Sequence, residues 1–558
     1  MRKITLGFQL GLCCLFLACN GDNAGGINTG DGGLDDGGGT DGGADGAVTL
    51  SIGGSVSGLR GSVTLQLNGA YDVVVSEEGS FEFTVGLEEG ANFDVTITAQ
   101  PPFQSCSISG GQGTVSSVGI DSIDIQCASF VYQPLTNGSD GFEPWVSDGT
   151  DAGTVMLKDI AAGSSNSTTS PEHILLPNGN LLFIAYEDTH GVEPWVSDGS
   201  DAGTTLLKDI ADGSGGSNAG GFTLSNGKVF FSATDGTNGN ELWVTDGTAS
   251  GTVMLKDIQP GAGDSGPNGF VDVNGTLYFS AYDDTAGEEL WKSDGTATGT
   301  TRVKDINPGA GDSFVSQIIA VGSVIYFRAN DGSTGNELWK SDGTESGTVL
   351  AAEIVSGGNG GNLTGLFEHN GILYFSAYGG NTPGIELWKS DGTQTGTMQV
   401  KDINPGSGDS LPSYFFELGG SIFFAADDGT HGTELWKTDG TDTGTVLVKD
   451  INDGANGVEF DSFVTLGGAV YFSVYESVGG STWWKTDGTD SGTVLVKAPN
   501  PSGTSRAFSL RLIGETIFFI GQEPTHGYEP WISDGTTTGT VLLKDVNPGA
   551  PNSYPVPG

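Results

Sequence analysis

One unit recurs nine times over the last three quarters of this 558-residue chain. Its marker reads ELWKSDGTxxGTxxVKDI and is centred on Trp145, Trp195, Trp243, Trp291, Trp339, Trp388, Trp436, Trp484 and Trp531. Neighbouring markers lie 47 to 50 residues apart. A fixed period of that length belongs to arrays in which each unit buries its faces against the next. Residues 270–311 show what one unit contains. An apolar strand at 270–273 meets Asn274 and Gly275, a tight-hairpin pair. Strands at 277–281, 289–293 and 301–306 follow, separated by Asp- and Gly-rich turns. Four short antiparallel strands per period is the pattern of a propeller blade. The expected fold class is all-β: a multi-bladed β-propeller of about nine four-stranded repeats, over residues 128–558.

Strand counting bears on ring closure. The first unit lacks a first strand, because Phe130, Val131 and Tyr132 align with the second. The tail at 552–557 falls where another first strand is due, so the C-terminal end is expected to complete blade one. Nine blades exceed the usual four to eight. An eight-bladed ring with one displaced unit, and an open array, stay as alternatives.

Composition excludes some functions. The chain holds 69 acidic and 21 basic residues, a formal charge of −48. A nucleic-acid partner is excluded, since phosphate needs a basic footprint. Glycine, at 95 residues, is turn punctuation recurring in each unit.

The N-terminal end is read as an address. Arg2 and Lys3 precede an apolar run to Leu17, too short to span a bilayer. The run ends in Leu17, Ala18 and Cys19, which resembles a bacterial lipoprotein box, with Phe16 departing from the usual residue. Residues 1–18 are then a lipoprotein signal peptide and Cys19 the lipidated residue. Residues 19–47 form a Gly/Asp-rich flexible linker. Residues 48–127 alternate apolar and polar, with Val63, Leu65 and Leu67 on one face, and Phe93, Val95 and Ile97 on another strand. A small antiparallel β-sandwich of six or seven strands is expected there, stapled by a disulfide between Cys106 and Cys127.

Repetition argues against chemistry in the motif, because a catalytic site needs unlike residues at one place. The nine tryptophans are structural motif residues. The Asp of each SDGT is expected to cap turn N–H groups. The alternative is calcium held by loop carboxylates, with Asp294, Asp342 and Asp439 as candidates. The Glu two places before Trp is buried and needs a partner. Thirteen of 15 lysines occupy repeated positions and are expected to pair with Glu or Asp. His190, His431 and His526 share one loop position and read as loop structure. No catalytic residues, and no cofactor other than possible calcium, are read from the sequence.

The array resembles the bacterial ELWxxDGT-repeat proteins, a group of secreted or surface proteins. That resemblance implies an extracellular repeat fold and brings no catalytic residues. The strand order also resembles the blades of periplasmic TolB-like propellers. The functional reading is a non-catalytic lipoprotein of the bacterial cell envelope, at the outer membrane or cell surface. A lipid anchors it to the membrane, and the propeller binds an extracellular protein or glycan. The alternatives are a propeller enzyme acting on glycans, as hydrolase or lyase, and a calcium-stabilised scaffold. Glu368, Glu476 and Glu523 are the acids outside the motif that an enzyme would draw on.

Overall fold

The computed structural model describes residues 49–558, except 169, 359, 381–383, 477–479, 498–507, 550–551 and 555–558. The expected signal peptide, Cys19 and the whole of the linker lie outside the described residues. Residues 49–558 form one compact unit.

The first part of that unit is a sandwich of two four-stranded sheets with a short two-stranded ribbon. Alternation builds it: Val63, Leu65, Leu67, Phe93, Val95, Ile123 and Ile125 form one core. The expectation of a wholly antiparallel sandwich is corrected. The strand Ile52–Ser57 pairs in parallel with Ile120–Ser129, bringing the first long strand and the last side by side. Gly54 makes this possible, because a Cβ there would lie 1.8 Å from Ile123 O. Cys106 and Cys127 stand opposite each other on neighbouring strands and are disulfide-bonded.

After Ser129 come nine sheets, eight of four strands and one of three, each with its strands in chain order. Blade four is Asn268–Val273, Thr276–Asp283, Gly287–Ser293 and Thr301–Lys304. Its first hairpin turns through Asn274 and Gly275, both with positive φ (52° and 82°), as a two-residue loop requires. First strands of successive blades lie beside one another, so they line the axis. Both faces of each blade are buried: Glu289 and Leu290 are fully covered, and Trp291 nearly so.

The fourth strand varies in length for a reason visible in the sequence. Blades one, two and nine read EPW instead of ELW, and their outer strands hold two residues (Val155–Met156, Thr205–Leu206, Val541–Leu542). The other blades have four. Proline brings no N–H to the ladder, so pairing stops one step earlier.

The ring closes with nine blades. Val131, Leu135 and Trp145 of blade one pack with Ile513, Phe518, Tyr528 and Val546 of blade nine in one core. Ser553 crosses the seam as Ser265 crosses between blades three and four. Ser553 N donates to Tyr528 O at 2.9 Å, and Thr136 N donates to Ser553 O at 2.8 Å. Among the described residues, however, blade one keeps three strands. The expected completion by the tail is not seen there, and 555–557 lie outside the described residues. Pro134 explains how the edge tolerates this. It stands where blade four has Ser280, which faces a first strand, and it offers no N–H to pair. At its lower end the edge meets the sandwich: Phe130 N donates to Phe103 O at 2.8 Å. The Phe103 ring is 5% exposed and wedged among Tyr132, Val146, Leu181 and Phe183.

Candidate functional site

The repeated motif is consumed by the fold. Asp294 Oδ1 accepts the N–H of Thr296 at 2.9 Å and its hydroxyl at 2.7 Å. Thr296 Oγ1 accepts Gly299 N–H at 2.9 Å. Thr300 donates its hydroxyl to Thr296 O at 2.8 Å and sits 2.8 Å from Ser293 Oγ. The same bonds recur around Asp342 and Asp439. The hydroxyl and N–H donors hold all three carboxyls below their ordinary range. Each of these calcium candidates therefore sits singly in a turn, occupied by its own chain. Calcium takes about six to eight oxygens. Among the described residues no group of three or more His, Cys, Asp or Glu is placed to hold a metal ion. This donor set does not fit calcium.

The buried motif Glu has a partner that is not a lysine. Glu337 accepts the N–H groups of Ile354 (2.7 Å), Val355 (3.1 Å) and Gly361 (3.1 Å). Glu241 accepts Ile258 N–H (2.7 Å), Ser265 N–H (3.1 Å) and the Ser265 hydroxyl (2.6 Å). The carboxylate thus clamps the connection from one blade to the next, 17 to 24 residues downstream. Burial outweighs these donors and pushes Glu289, Glu337 and Glu434 up to about 7, and Glu529 up to about 8.

The lysines latch neighbouring blades. Lys208, Lys256 and Lys304 donate to the carbonyls of Thr252, Thr300 and Thr348 in the following blade, at 2.7 to 2.9 Å. Lys292, Lys340, Lys389 and Lys437 reach the next SDGT glycine carbonyl. Acidic partners occur too: Lys158, Lys401 and Lys544 also meet the carboxylates of Asp201, Asp442 and Asp151, and Lys449 donates to Asp490 Oδ1 at 2.9 Å. The expected pairing with Asp is seen at Lys158, Lys401, Lys449 and Lys544; Lys208, Lys256, Lys304, Lys292, Lys340, Lys389 and Lys437 bond backbone carbonyls instead. The motif tryptophans fill the space between blades, as Trp291 does against Phe230, Leu242 and Ile258 of the blade before.

The other candidates are also engaged, and they stand apart. His190, His431 and His526 each bond the acid three residues before them, Glu187, Asp428 and Glu523. Glu368 accepts Gly371 N–H at 2.7 Å in a hairpin. The side chain of Glu476 lies outside the description. Glu368 and Glu523 belong to blades six and nine, so they form no acid pair.

What does stand out is a departure from the repeat where the first strands begin. Two places take positive φ there in blades three to seven, and blade nine has Ser509 (φ 61°) at the second. Asn218, Gly266 and Asn362 occupy the first place in blades three, four and six; Gly221, Gly269 and Gly365 occupy the second in the same blades. Blades five and seven instead carry Phe314 (φ 50°), Gln317 (56°), Leu411 (48°) and Tyr414 (55°). A bulky side chain in that region is strained by about 1–2 kcal/mol. Yet Phe314, Leu411 and Tyr414 are 50%, 56% and 48% exposed, so burial does not offset the strain. Tyr414 rests against Phe460 and Phe463 (ring centroids 6.3 and 5.8 Å). Between blades five and six Arg328 donates to Ser316 Oγ at 3.0 Å and reaches Leu363 O at 3.5 Å, without a carboxylate among the described residues. This axial mouth combines exposed apolar side chains with one half-buried cation. Sequence reading missed it because the residues look like ordinary apolar strand residues; the signal was their disagreement with the same column in other blades.

No protein-family model and no curated protein matches the sequence. Solved structures similar to it include the computationally designed Ika8 protein, at 15% identity and a TM-score of 0.38 over 69% of this chain and 98% of that one. A prolyl endopeptidase matches at 14% and 0.36, over 65% and 53%. A puromycin-hydrolyzing peptidase from Mycobacterium tuberculosis matches at 14% and 0.35, over 60% and 54%. The chain spans about half the length of these two peptidases. Likenesses this remote carry no argument about activity.

Proposed function

We propose that this chain is a non-catalytic binding scaffold of the bacterial cell envelope. It is held to the membrane by a lipid on Cys19 and engages an extracellular protein or glycan at the axial mouth. The observation that carries the binding reading is the set of exposed, strained side chains Phe314, Leu411 and Tyr414, placed where other blades use Gly or Asn. Strain retained without burial is a mark of function. The turn, clamp and latch roles of the motif Asp, Glu and Lys support a scaffold, because they leave the repeated polar groups engaged with the fold. The resemblance to ELWxxDGT-repeat surface proteins supports the address.

Two experiments test this. The full chain is probed against a printed glycan array and a panel of extracellular-matrix proteins. At least one ligand is expected to bind, and to lose at least tenfold in affinity when Phe314→Ala, Leu411→Ala and Tyr414→Ala are combined. Absence of binding across both panels, or binding unchanged in the variant, contradicts the reading. For the anchor, metabolic labelling with a palmitate analogue is expected to mark the wild type and not Cys19→Ala. Equal labelling of the two would remove Cys19 as the lipid site.

A further inference from the structure

We propose that a cavity where the sandwich meets blades one to three binds a small amphiphile, an unbranched apolar chain carrying one carboxylate. The cavity measures about 410 Å³, within the range of roughly 300–1,000 Å³ of small-molecule sites. Its wall is apolar: Phe103, Phe130, Val146, Ile174, Leu181 and Leu224. These residues come from the sandwich and three blades, so the space exists only because the two parts are packed together. It adjoins the place where blade one has no inner strand.

The polar groups are few and differ in kind. His173 shares its Nδ1 with Pro171 O at 2.7 Å, which makes that nitrogen the donor and leaves Nε2 an acceptor. Burial pushes this imidazole down to about 4, so the inner wall carries no cation there at neutral pH. Arg60 is different. Its side chain is exposed at the lining, and no carboxylate lies within ion-pair distance of it among the described residues. In a chain with 69 acids against 21 bases, an unpaired guanidinium beside an apolar cavity selects an anionic head.

The rim holds the backbone of that residue in place. Gln104, 2% exposed, accepts Arg60 N–H through Oε1 at 2.6 Å. Its Nε2 donates to Gly58 O at 2.7 Å and Ser129 Oγ at 3.3 Å. The wall residue Phe103 takes a φ of 53°, a strained conformation for a bulky side chain, next to the cavity it borders. A largely apolar wall, an exposed guanidinium at the rim and a volume of about 410 Å³ together describe a fatty-acid-like ligand. This inference is independent of the axial mouth.

The test is calorimetric titration of the full chain with dodecanoate below its micellar concentration, with dodecanol as the neutral comparator. One saturable site is expected. Dodecanol is expected to bind at least tenfold more weakly, and Arg60→Ala to weaken dodecanoate at least tenfold. Leu224→Trp, which fills the cavity, is expected to abolish binding, while Phe314→Asn with Leu411→Asn leaves it unchanged. Arg60 is exposed, so its variant folds even if Leu224→Trp does not, and melting curves establish this for both. Absent or multi-site binding, equal affinity for dodecanol, or wild-type affinity in Arg60→Ala each overturns the proposal.

Discussion

Lys544 Nζ in the last blade donates to Thr154 O in the first at 3.0 Å, across 390 residues of chain. The same latch joins Lys256 to Thr300 O and Lys304 to Thr348 O between blades that are consecutive in sequence. The chemistry at the seam is therefore that of the joints following blades two, three and four. Lys544→Met is expected to lower unfolding free energy by about 1–2 kcal/mol, the worth of a hydrogen bond from a charged donor with part of it screened. Lys256→Met should cost a similar amount. Urea unfolding of the two variants checks this, and a Lys544→Met curve that superposes on wild type would mean that the ring is not closed there.

The turn aspartates give a second test. Asp294 is satisfied by Thr296, so chelator is expected to leave the melting temperature unchanged. Asp294→Ala is expected to lower the melting temperature through its lost turn bonds. A melting point that falls by several degrees in EDTA and returns with calcium would contradict this account of the turn.

The buried glutamates set a direction with pH. Their folded values lie at about 7 for Glu289, Glu337 and Glu434, and about 8 for Glu529, against an ordinary 4.5. The folded ring holds protons that the unfolded chain releases. Stability from these groups is fully present below about 4.5 and is lost as pH rises through 7 to 8. His190 and His431, raised by their acidic partners, act in the same direction. The turn aspartates, held low, matter only at more acidic pH. Melting temperature is expected to fall from pH 5 to pH 8, and a rise over that interval would mean that the N–H donors outweigh burial at these glutamates.

How much of this was legible beforehand depended on distance along the chain. Blade four's hairpin at Asn274 and Gly275, and the alternation around Glu289 and Trp291, are local and were readable. The partners of Glu289 lie 17 and 18 residues away, at Ile306 and Asn307, so its clamp could not be read from spacing within a strand. The parallel pair of Ile52–Ser57 with Ile120–Ser129 was hidden for the same reason, since the whole sandwich must close first. Pro144, Pro194 and Pro530 did carry a readable signal, the shortened outer strand. Phe314 and Leu411 differ from Asn218, Gly266 and Asn362 in the same column, but the positive φ is what marks them as strained.

The disulfide gives a local prediction. Cys106 and Cys127 close a loop with a sequence separation of 21. Replacing both by Ser is expected to cost about 3 kcal/mol. Hydrogen exchange should show the loss in the sandwich strands and leave those of blades four to seven protected. Equal loss in the blades would mean that sandwich and ring unfold as one.

The most direct test of the central claim exchanges the axial residues for those of the repeat. In Phe314→Asn with Leu411→Asn, both positions receive a residue that other blades already carry at positive φ, at Asn218 and Asn362. If the exposed side chains are kept for binding at the expense of stability, the double variant melts higher than wild type and binds its array-identified ligand at least tenfold more weakly. A variant that melts lower and binds as well as wild type would show that Phe314 and Leu411 serve the fold instead.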